Sequence, residues 1–408
     1  MSGQVILKDV NWHSSKDMRV HAFEEPTGWV LTLGRAEIFT YRDALTELAA
    51  HSDEANAFYA PTLLEPALTH LAEGLDLSFV LVFDWSATGE KRLCGFFPFE
   101  RMRNWHGLPI QHWRLWQHLH CFFCAPLIRA GCSCVVLQQL LLWAAQQTNG
   151  AQLLEFQAIS AAGPFATGLT KALATQRRSH WHTRRYERAF FTPAASAADY
   201  LEATVSGKHR KEWRRLRRQL ALKGDLELRV LAQNADAKPW IADFLRVEMS
   251  GWKGLEGSAM LCDAHEQAFF TDAALAAQAG GQFMMMGLYL NGQAIAMKCN
   301  FRAAQGAFCF KIAFDPAYAD YSPGILLELD HIELAHHTPH LEWLDSCAKP
   351  GHPMINRLWS QRRAMQDLTI SNGHGLANLL LLVTPPLLQV KRGLSNLFRR
   401  LRCRLVHC

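Results

Sequence analysis

Lys311–Gly324, KIAFDPAYADYSPG, decides the fold because it reads as a strand, a turn-rich connection and a helix start in succession. Phe308, Phe310, Ile312 and Phe314 alternate, which predicts one face of a buried strand. Asp315-Pro316 opens the connection. Ser322-Pro323-Gly324 then introduces GILLELDHIELAHH, with Ser322 as the expected N-cap and Pro323 at the first helical position. Ile325, Leu326, Leu329, Ile332 and Leu334 suit a largely buried helix. A strand running through a loop into a helix start presents free backbone N–H groups, which attract phosphate.

The elements around this stretch occur twice. In the second half, a helix over 266–279 precedes the strand FMMMGLYL (283–290). Asn291-Gly292 then gives a hairpin turn, and QAIAMKCNF pairs back. A strand over 307–314, a helix over 324–337 and a strand over 341–346 follow. In the first half, NAFYAPTLLEPALTHL precedes the strand FVLVF (79–83), the hairpin return RLCGFFPFERM and the strand-like HWRLWQHLHCFFCAPLI. A helix over 135–146 and a strand over 153–159 complete the set. Two copies of helix–hairpin–strand–helix–strand predict an α/β chain built from duplicated domains. The expected units are 1–195, 196–370 and a tail over 371–408.

At 408 residues the chain is long enough for two domains. Its 49% hydrophobic and 19% charged residues describe a globular protein. MSGQVILKDVNWHSSKD lacks the apolar run of a secretory signal, and no uninterrupted apolar segment reaches the roughly 18 residues of a membrane span. The expected location is cytoplasmic. Eleven cysteines, scattered through apolar runs, fit free thiols in a reducing compartment. His118, His120, Cys121, Cys124, Cys132 and Cys134 raise the question of a metal. Cys121 and Cys124 have a zinc-like spacing, but Cys132 and Cys134 do not supply the usual second C-x-x-C, so no metal is expected.

Charge is concentrated in two places. Between the halves, SGKHRKEWRRLRRQLALKGDLELRV (206–230) carries Lys208, Arg210, Lys211, Arg214, Arg215, Arg217, Arg218 and Lys223. Trp213, Leu216 and Leu220 form one inward stripe, which leaves the rest of this helix strongly positive. Such a face suits nucleic acid, phosphorylated ligands or an anionic membrane. No aromatic-rich recognition module accompanies it, which disfavours nucleic acid. The tail combines the apolar Leu376–Val390, broken by Pro385-Pro386, with a segment in which Leu394, Leu397, Phe398, Leu401 and Leu405 oppose Lys391, Arg392, Arg399, Arg400, Arg402 and Arg404. That pattern fits an interfacial helix at the inner face of an anionic membrane.

Four motifs in fixed order carry a family resemblance: SGKHRKEWRRLRRQLALKG (206–224), GWKG (251–254), KIAFDPAYADYSPG (311–324) and LDSCAKPGHPMINRLW (344–359). The chain resembles the GNAT-fold CelD-like acyltransferases associated with bacterial cellulose and exopolysaccharide synthesis, which are related to Fem-type transferases. The resemblance implies tandem GNAT-like domains, each a mixed central sheet flanked by helices. It also implies an acyl-CoA co-substrate, with acetyl-CoA expected, and a hydroxyl or amine acceptor linked to a polysaccharide or envelope precursor. One departure stands out. The usual phosphate loop is Q/R-x-x-G-x-G/A, and here Asp320-Tyr321-Ser322-Pro323-Gly324 occupies that junction. Two alternatives follow: a Fem-like transferase using aminoacyl-tRNA, and a non-catalytic accessory protein of a membrane polysaccharide synthase. The junction of the first copy, CAPLIRAGCSC (124–134), has no cap–Pro–Gly start and reads as non-catalytic.

The expected site follows from these segments. Ser322, Pro323 and Gly324 are placed under the donor's pyrophosphate, with Lys311 and Tyr321 nearby. Trp252 and Lys253, between glycines, are expected to face the acceptor groove. His352 is the candidate general base because an imidazole titrates near neutrality. Asp345, at the end of the preceding strand, is expected to orient it or to act as base itself.

Overall fold

The computed structural model describes residues 19–22, 29–85, 89–147, 153–384 and 386. In the first half, β1 (Arg19–Ala22) and β2 (Trp29–Leu33) lead into α1 (Arg42–Ala50) and α2 (Pro61–His70). The hairpin β3 (Leu77–Trp85) and β4 (Lys91–Met102) comes next, then β5 (His112–Leu115), β6 (Leu127–Ile128) and α3 (Ser133–Gln146). β7 (Leu153–Ser160), α4 (Pro164–Thr175) and β8 (His180–Phe191) close this half. The second half opens with α5 (Ala197–Thr204), α6 (Gly207–Ala221), β9 (Leu226–Val230), α7 (Lys238–Ser250), α8 (Trp252–Leu255) and α9 (Ala264–Ala279). It continues through β10 (Phe283–Leu290), β11 (Gln293–Ala303), β12 (Gly306–Phe314), α10 (Pro323–His337), β13 (Trp343–Asp345), α11 (Ile355–Leu358) and β14 (Gln361–Ser371).

The strands join into one continuous sheet in the order β1-β2-β3-β4-β5-β7-β14-β8-β13-β12-β11-β10-β9, with β6 paired to β4. Two pairs in it run parallel, β5 with β7 and β12 with β13, one in each half. The duplication read from element order is therefore present, since β3-β4-β5-α3-β7 repeats as β10-β11-β12-α10-β13. Helices α2 and α9 pack against each other, and one apolar core runs through both halves, including Phe79 and Phe96 from the first and Phe270 and Phe301 from the second. A second core lies on the other face of the later strands. There Trp213, Leu216 and Leu220 of α6 meet Leu326 and Leu327 of α10.

The halves exchange strands. β14 pairs with β7 on one side and β8 on the other, and β8 ends against β13 through Leu344↔Phe191 and Asp345↔Phe190. A strand expected in the second unit thus completes the sheet of the first.

Three local expectations need correction. HWRLWQHLHCFFCAPLI is strand only at His112–Leu115 and Leu127–Ile128, and the residues between cross toward the second half. The alternation of Phe308, Phe310, Ile312 and Phe314 breaks at a β-bulge, where Cys299 pairs with Lys311 and Asn300 with Cys309. The extra residue, Phe310, turns the strand over, so Phe308 and Phe310 join the first core while Ile312 packs on the second. Ser322 does not cap α10 with its side chain. Its backbone is left-handed at φ 51°, ending the 3-10 turn Pro316–Tyr321, which Asp315 caps through the Ala317 N–H.

The tail begins as a helix over 375–384, with Ala377 and Leu381 seated on Trp105 of the first half. Leu376, Leu379 and Leu382 on this helix are exposed. The basic segment expected to lie on a membrane falls outside the described residues. Among the described residues no helix is long and apolar enough to cross a membrane.

Candidate active site

β12 and β13 run side by side for three pairs, Gly306↔Trp343, Ala307↔Leu344 and Phe308↔Asp345, and then part. The bulge at Phe310 bends β12 at the point where pairing stops. Between the parted strands lies a cavity of about 530 Å³, with Cys309–Phe314 on one side and Ser346, Cys347 and Ala348 on the other. Gly324 at the start of α10 forms part of its wall, and α7 and α8 cover it through Val247, Glu248, Trp252 and Lys253. Phe122, from the segment that crosses over from the first half, supplies another wall.

Two buried ion-pair networks stand in this wall. Glu248 receives Lys253 Nζ at 2.7 Å and Lys311 Nζ at 3.4 Å on Oε1, and the Met260 N–H at 3.0 Å on Oε2. Burial alone would raise its carboxyl; the two lysines outweigh burial and hold it below the usual range. Burial and then the neighbouring Lys253 charge lower the Lys311 ammonium. In the second network Glu328 pairs with Lys298 and with His331 Nδ1 at 3.2 Å, and His331 Nε2 meets Asn300 Nδ2 at 3.0 Å. Despite full burial, Lys298 and His331 bring the Glu328 carboxyl down to about 2.

The expected site residues are distributed unevenly. Lys311, Gly324, Trp252, Lys253 and His352 line the cavity. Pro323 is buried in the first turn of α10, while Tyr321 ends the 3-10 turn and Ser322 follows it, all off the cavity wall. Trp252 is 60% exposed at the mouth. It stands on the short α8, whose Gly254 touches the Met249 carbonyl so closely that an added Cβ would lie 1.8 Å from it. His352 is half-buried, and its Nδ1 faces the Ile355 N–H at 3.4 Å at the start of α11. An Nδ1 that accepts leaves Nε2 as the ring's available donor. Asp345 is fully buried, with Arg188 at 2.7 Å, Arg363 at 2.9 Å and the Cys347 N–H at 3.0 Å. Burial would raise its carboxyl, but the two guanidiniums hold it low. Its place is structural, anchoring the chain that leads to Ser346, Cys347 and His352.

Glu248, Lys298 and Glu328 were not among the expected residues. A signal exists for each. Glu248 completes the spacing Ile241, Phe244, Leu245 on the buried face of α7, and Glu328 falls between Gly324 and His331 on that of α10. Lys298 alternates with Ala296 in a strand that is buried throughout 294–301.

The corresponding opening in the first half is filled. β5 and β7 pair from His112 to Arg114 and then separate, but Cys121, Phe123, Cys124 and Ala125 are buried there. The Cys124 N–H donates to the Ala158 carbonyl at 3.0 Å, and Asn56 Nδ2 donates to the carbonyls of Phe123 and Ala125. The start of α3 is closed as well. Asp53 accepts from the Gly131 N–H and the Ser133 hydroxyl, and Gly168 of α4 packs against Ser133. Of the cysteine–histidine cluster in this region, His120 Nε2 pairs with Glu266 at 2.9 Å, and Cys121 and Cys124 lie 3.7 Å apart.

Residues 207–350 match the family model described as an acetyltransferase (GNAT) domain. No curated protein matches the chain. Among solved structures, FemX is similar with a TM-score of 0.53 at 10% identity, over 84% of this chain and 98% of FemX. A conserved protein of unknown function from Bacteroides thetaiotaomicron VPI-5482 gives 0.51 at 11%, over 83% and 97%. The C-terminal (DUF2156) domain of a putative lysylphosphatidylglycerol synthetase from Agrobacterium fabrum gives 0.50 at 15%, over 86% and 96%. At these identities the likeness is one of fold.

Proposed function

Residues 207–350 being a GNAT acyltransferase domain on a tandem GNAT-like fold, we propose that the protein moves an acyl group from a coenzyme A thioester to a hydroxyl or amine acceptor. The observation that carries this reading is the parting of β12 and β13 over the start of α10, where Gly324 lines the cavity. The pantetheine arm lies along the unpaired edge of β12, and the pyrophosphate sits over the first turn of α10 near Gly324. Catalysis then consists of holding the acceptor against the thioester carbonyl and stabilising the oxyanion that forms. His352 Nε2–H is the donor toward that oxyanion, and Asp345 positions the loop that carries it. Lys311 stays paired with Glu248 beside the thioester, and the acceptor's proton passes through water to the departing sulfur. The first half, its opening filled and its helix start capped by Asp53, serves as a wall of the site and not as a second catalytic unit.

The motif resemblance extends this reading to an acceptor linked to a polysaccharide or envelope precursor, and the exposed Trp252 face at the mouth suits a sugar ring. The basic tail would hold the protein at the inner face of an anionic membrane. A second reading, a Fem-like transfer from aminoacyl-tRNA, is favoured by one observation. The cationic face of α6 carries Lys208, Lys211, Arg214, Arg215 and Arg218 and packs beside α10, with Arg217 bound to Asp330 at 2.6 Å. The experiment is calorimetric titration of the full chain with coenzyme A and acetyl-CoA, beside titration with tRNA at two salt concentrations. Saturable coenzyme A binding supports the first reading. Failure to bind it, together with tight and salt-dependent tRNA binding, replaces the first reading with the second.

A further inference from the structure

The wall of the cavity is more apolar than a pantetheine arm and a two-carbon acyl group require. It includes Phe122, Phe310, Ile312, Phe314, Met354 and Ile355. The charged groups in the wall are turned onto one another. Glu248 holds both Lys253 and Lys311, and Glu328 holds Lys298 and His331, so the carboxylates and cations are matched before any ligand arrives. The surface left for a ligand is mostly hydrocarbon.

The apolar character continues out of the mouth. Trp252 is 60% exposed and Phe314 39%, and both line the cavity. Leu255, three residues after Trp252 on α8, is 88% exposed, and Met249 and Leu261 beside it are 42% and 38% exposed. Large side chains scattered singly on a surface are ordinary. Trp252 and Phe314 at the mouth, with Leu255 three residues further along α8, mark the path of an apolar ligand.

We propose that the donor's acyl group is a long aliphatic chain, seated in this cavity and leaving it past Trp252 and Leu255 of α8. The proposal rests on the coenzyme A reading above and names the class of thioester that the site selects. The chemistry of the step is unchanged. The acceptor's hydroxyl or amine forms a bond to the thioester carbonyl carbon, the carbon–sulfur bond breaks, and the acceptor's proton passes through water to the departing sulfur, so that coenzyme A leaves as the thiol. What the chain length changes is affinity. A methylene moved from water into hydrocarbon strengthens binding by a factor of about four at most.

The experiment is a titration of the full chain with coenzyme A and its acetyl, hexanoyl and decanoyl thioesters, below their micelle concentrations. Decanoyl-CoA is expected to bind at least about tenfold more tightly than acetyl-CoA, with excess coenzyme A displacing it. Leu255→Glu, at a position too exposed to disturb the core, is expected to remove most of that gain and leave acetyl-CoA affinity unchanged. Equal affinity for the acetyl and decanoyl thioesters overturns the proposal while leaving coenzyme A transfer intact. A chain-length gain that Leu255→Glu does not touch, or that decanoic acid alone reproduces without competition from coenzyme A, also overturns it, because the chain is then bound elsewhere. If no thioester binds at all, this proposal falls together with the reading on which it rests.

Discussion

Arg188 donates to Asp345 at 2.7 Å with both side chains at most 3% exposed, and the pair joins β8 of the first half to β13 of the second. The guanidinium also donates to the Phe122 carbonyl, so a single side chain ties the strand exchange to the wall of the cavity. Replacing Arg188 by Met leaves Asp345 in the interior with Arg363 as its remaining charged partner. The expected loss is about 3 kcal/mol of unfolding free energy, read from urea melts. Because the folded Asp345 carboxyl titrates below its unfolded value, this stabilisation is present above about pH 4 and fades as pH falls through the folded value. The gap between wild type and variant should therefore close in acid. A gap of under 1 kcal/mol at pH 7 would remove the pair from this account.

Glu54 gives the opposite pH dependence. Burial lifts its carboxyl to about 7, against the pull of Arg363 at 3.8 Å, and its Oε2 has no hydrogen-bond partner. With the folded value above the unfolded one, stability is full below about pH 4.5 and is lost as pH rises through 7. Glu54→Gln should raise stability at pH 8 by up to about 3 kcal/mol and change it little at pH 4. Identical stability–pH curves for the two proteins would contradict the burial argument.

Gly324 has room for a Cβ, which would meet Phe314 Cδ1 at 3.5 Å, an ordinary contact. The added bulk projects at the cavity wall. Gly324→Val should unfold like wild type and lose coenzyme A affinity by at least tenfold, with Gly324→Ala between the two. Wild-type affinity in the folded Val variant would place the pyrophosphate elsewhere.

His352→Gln tests the oxyanion donor. Removing one such donor typically costs a hundredfold or more in kcat, about 3 kcal/mol of barrier. The expected pattern is a fall in kcat with coenzyme A affinity unchanged. A fall smaller than about tenfold would assign the oxyanion to backbone N–H groups instead.

The tail should be cut after residue 386 and not at 376, since Ala377 and Leu381 are part of a small core with Trp105. A chain lacking 387–408 is expected to bind coenzyme A normally and to lose its affinity for vesicles of mixed anionic and neutral lipid. Co-sedimentation of both forms to the same extent would end the membrane reading.

Much of the second half was legible because its elements obey local rules. Asn291 and Gly292, at φ 50° and 79°, form the hairpin turn that the dipeptide predicts, and Trp213, Leu216 and Leu220 are the buried stripe of α6. The bulge at Phe310 was not legible, because a strand with an extra residue keeps the same alternating composition on either side of it. The pairing of Glu248 with Lys253 and Lys311 joins α7, α8 and β12, and no local pattern encodes a contact across three elements. The exchange of β14 was hidden for a similar reason, since pairing partners are chosen in space and not in sequence order.

That exchange has a consequence for the order of events in synthesis. The first half reaches its β7 and its β8 long before Gln361–Ser371, the strand that belongs between them, has left the ribosome. Until then two strand edges stand bare. The nascent first half is a template waiting for the end of the chain. A stop codon between the end of β8 and residue 361 would release a polypeptide with an unfilled slot at its centre, open to β14 of a full-length copy.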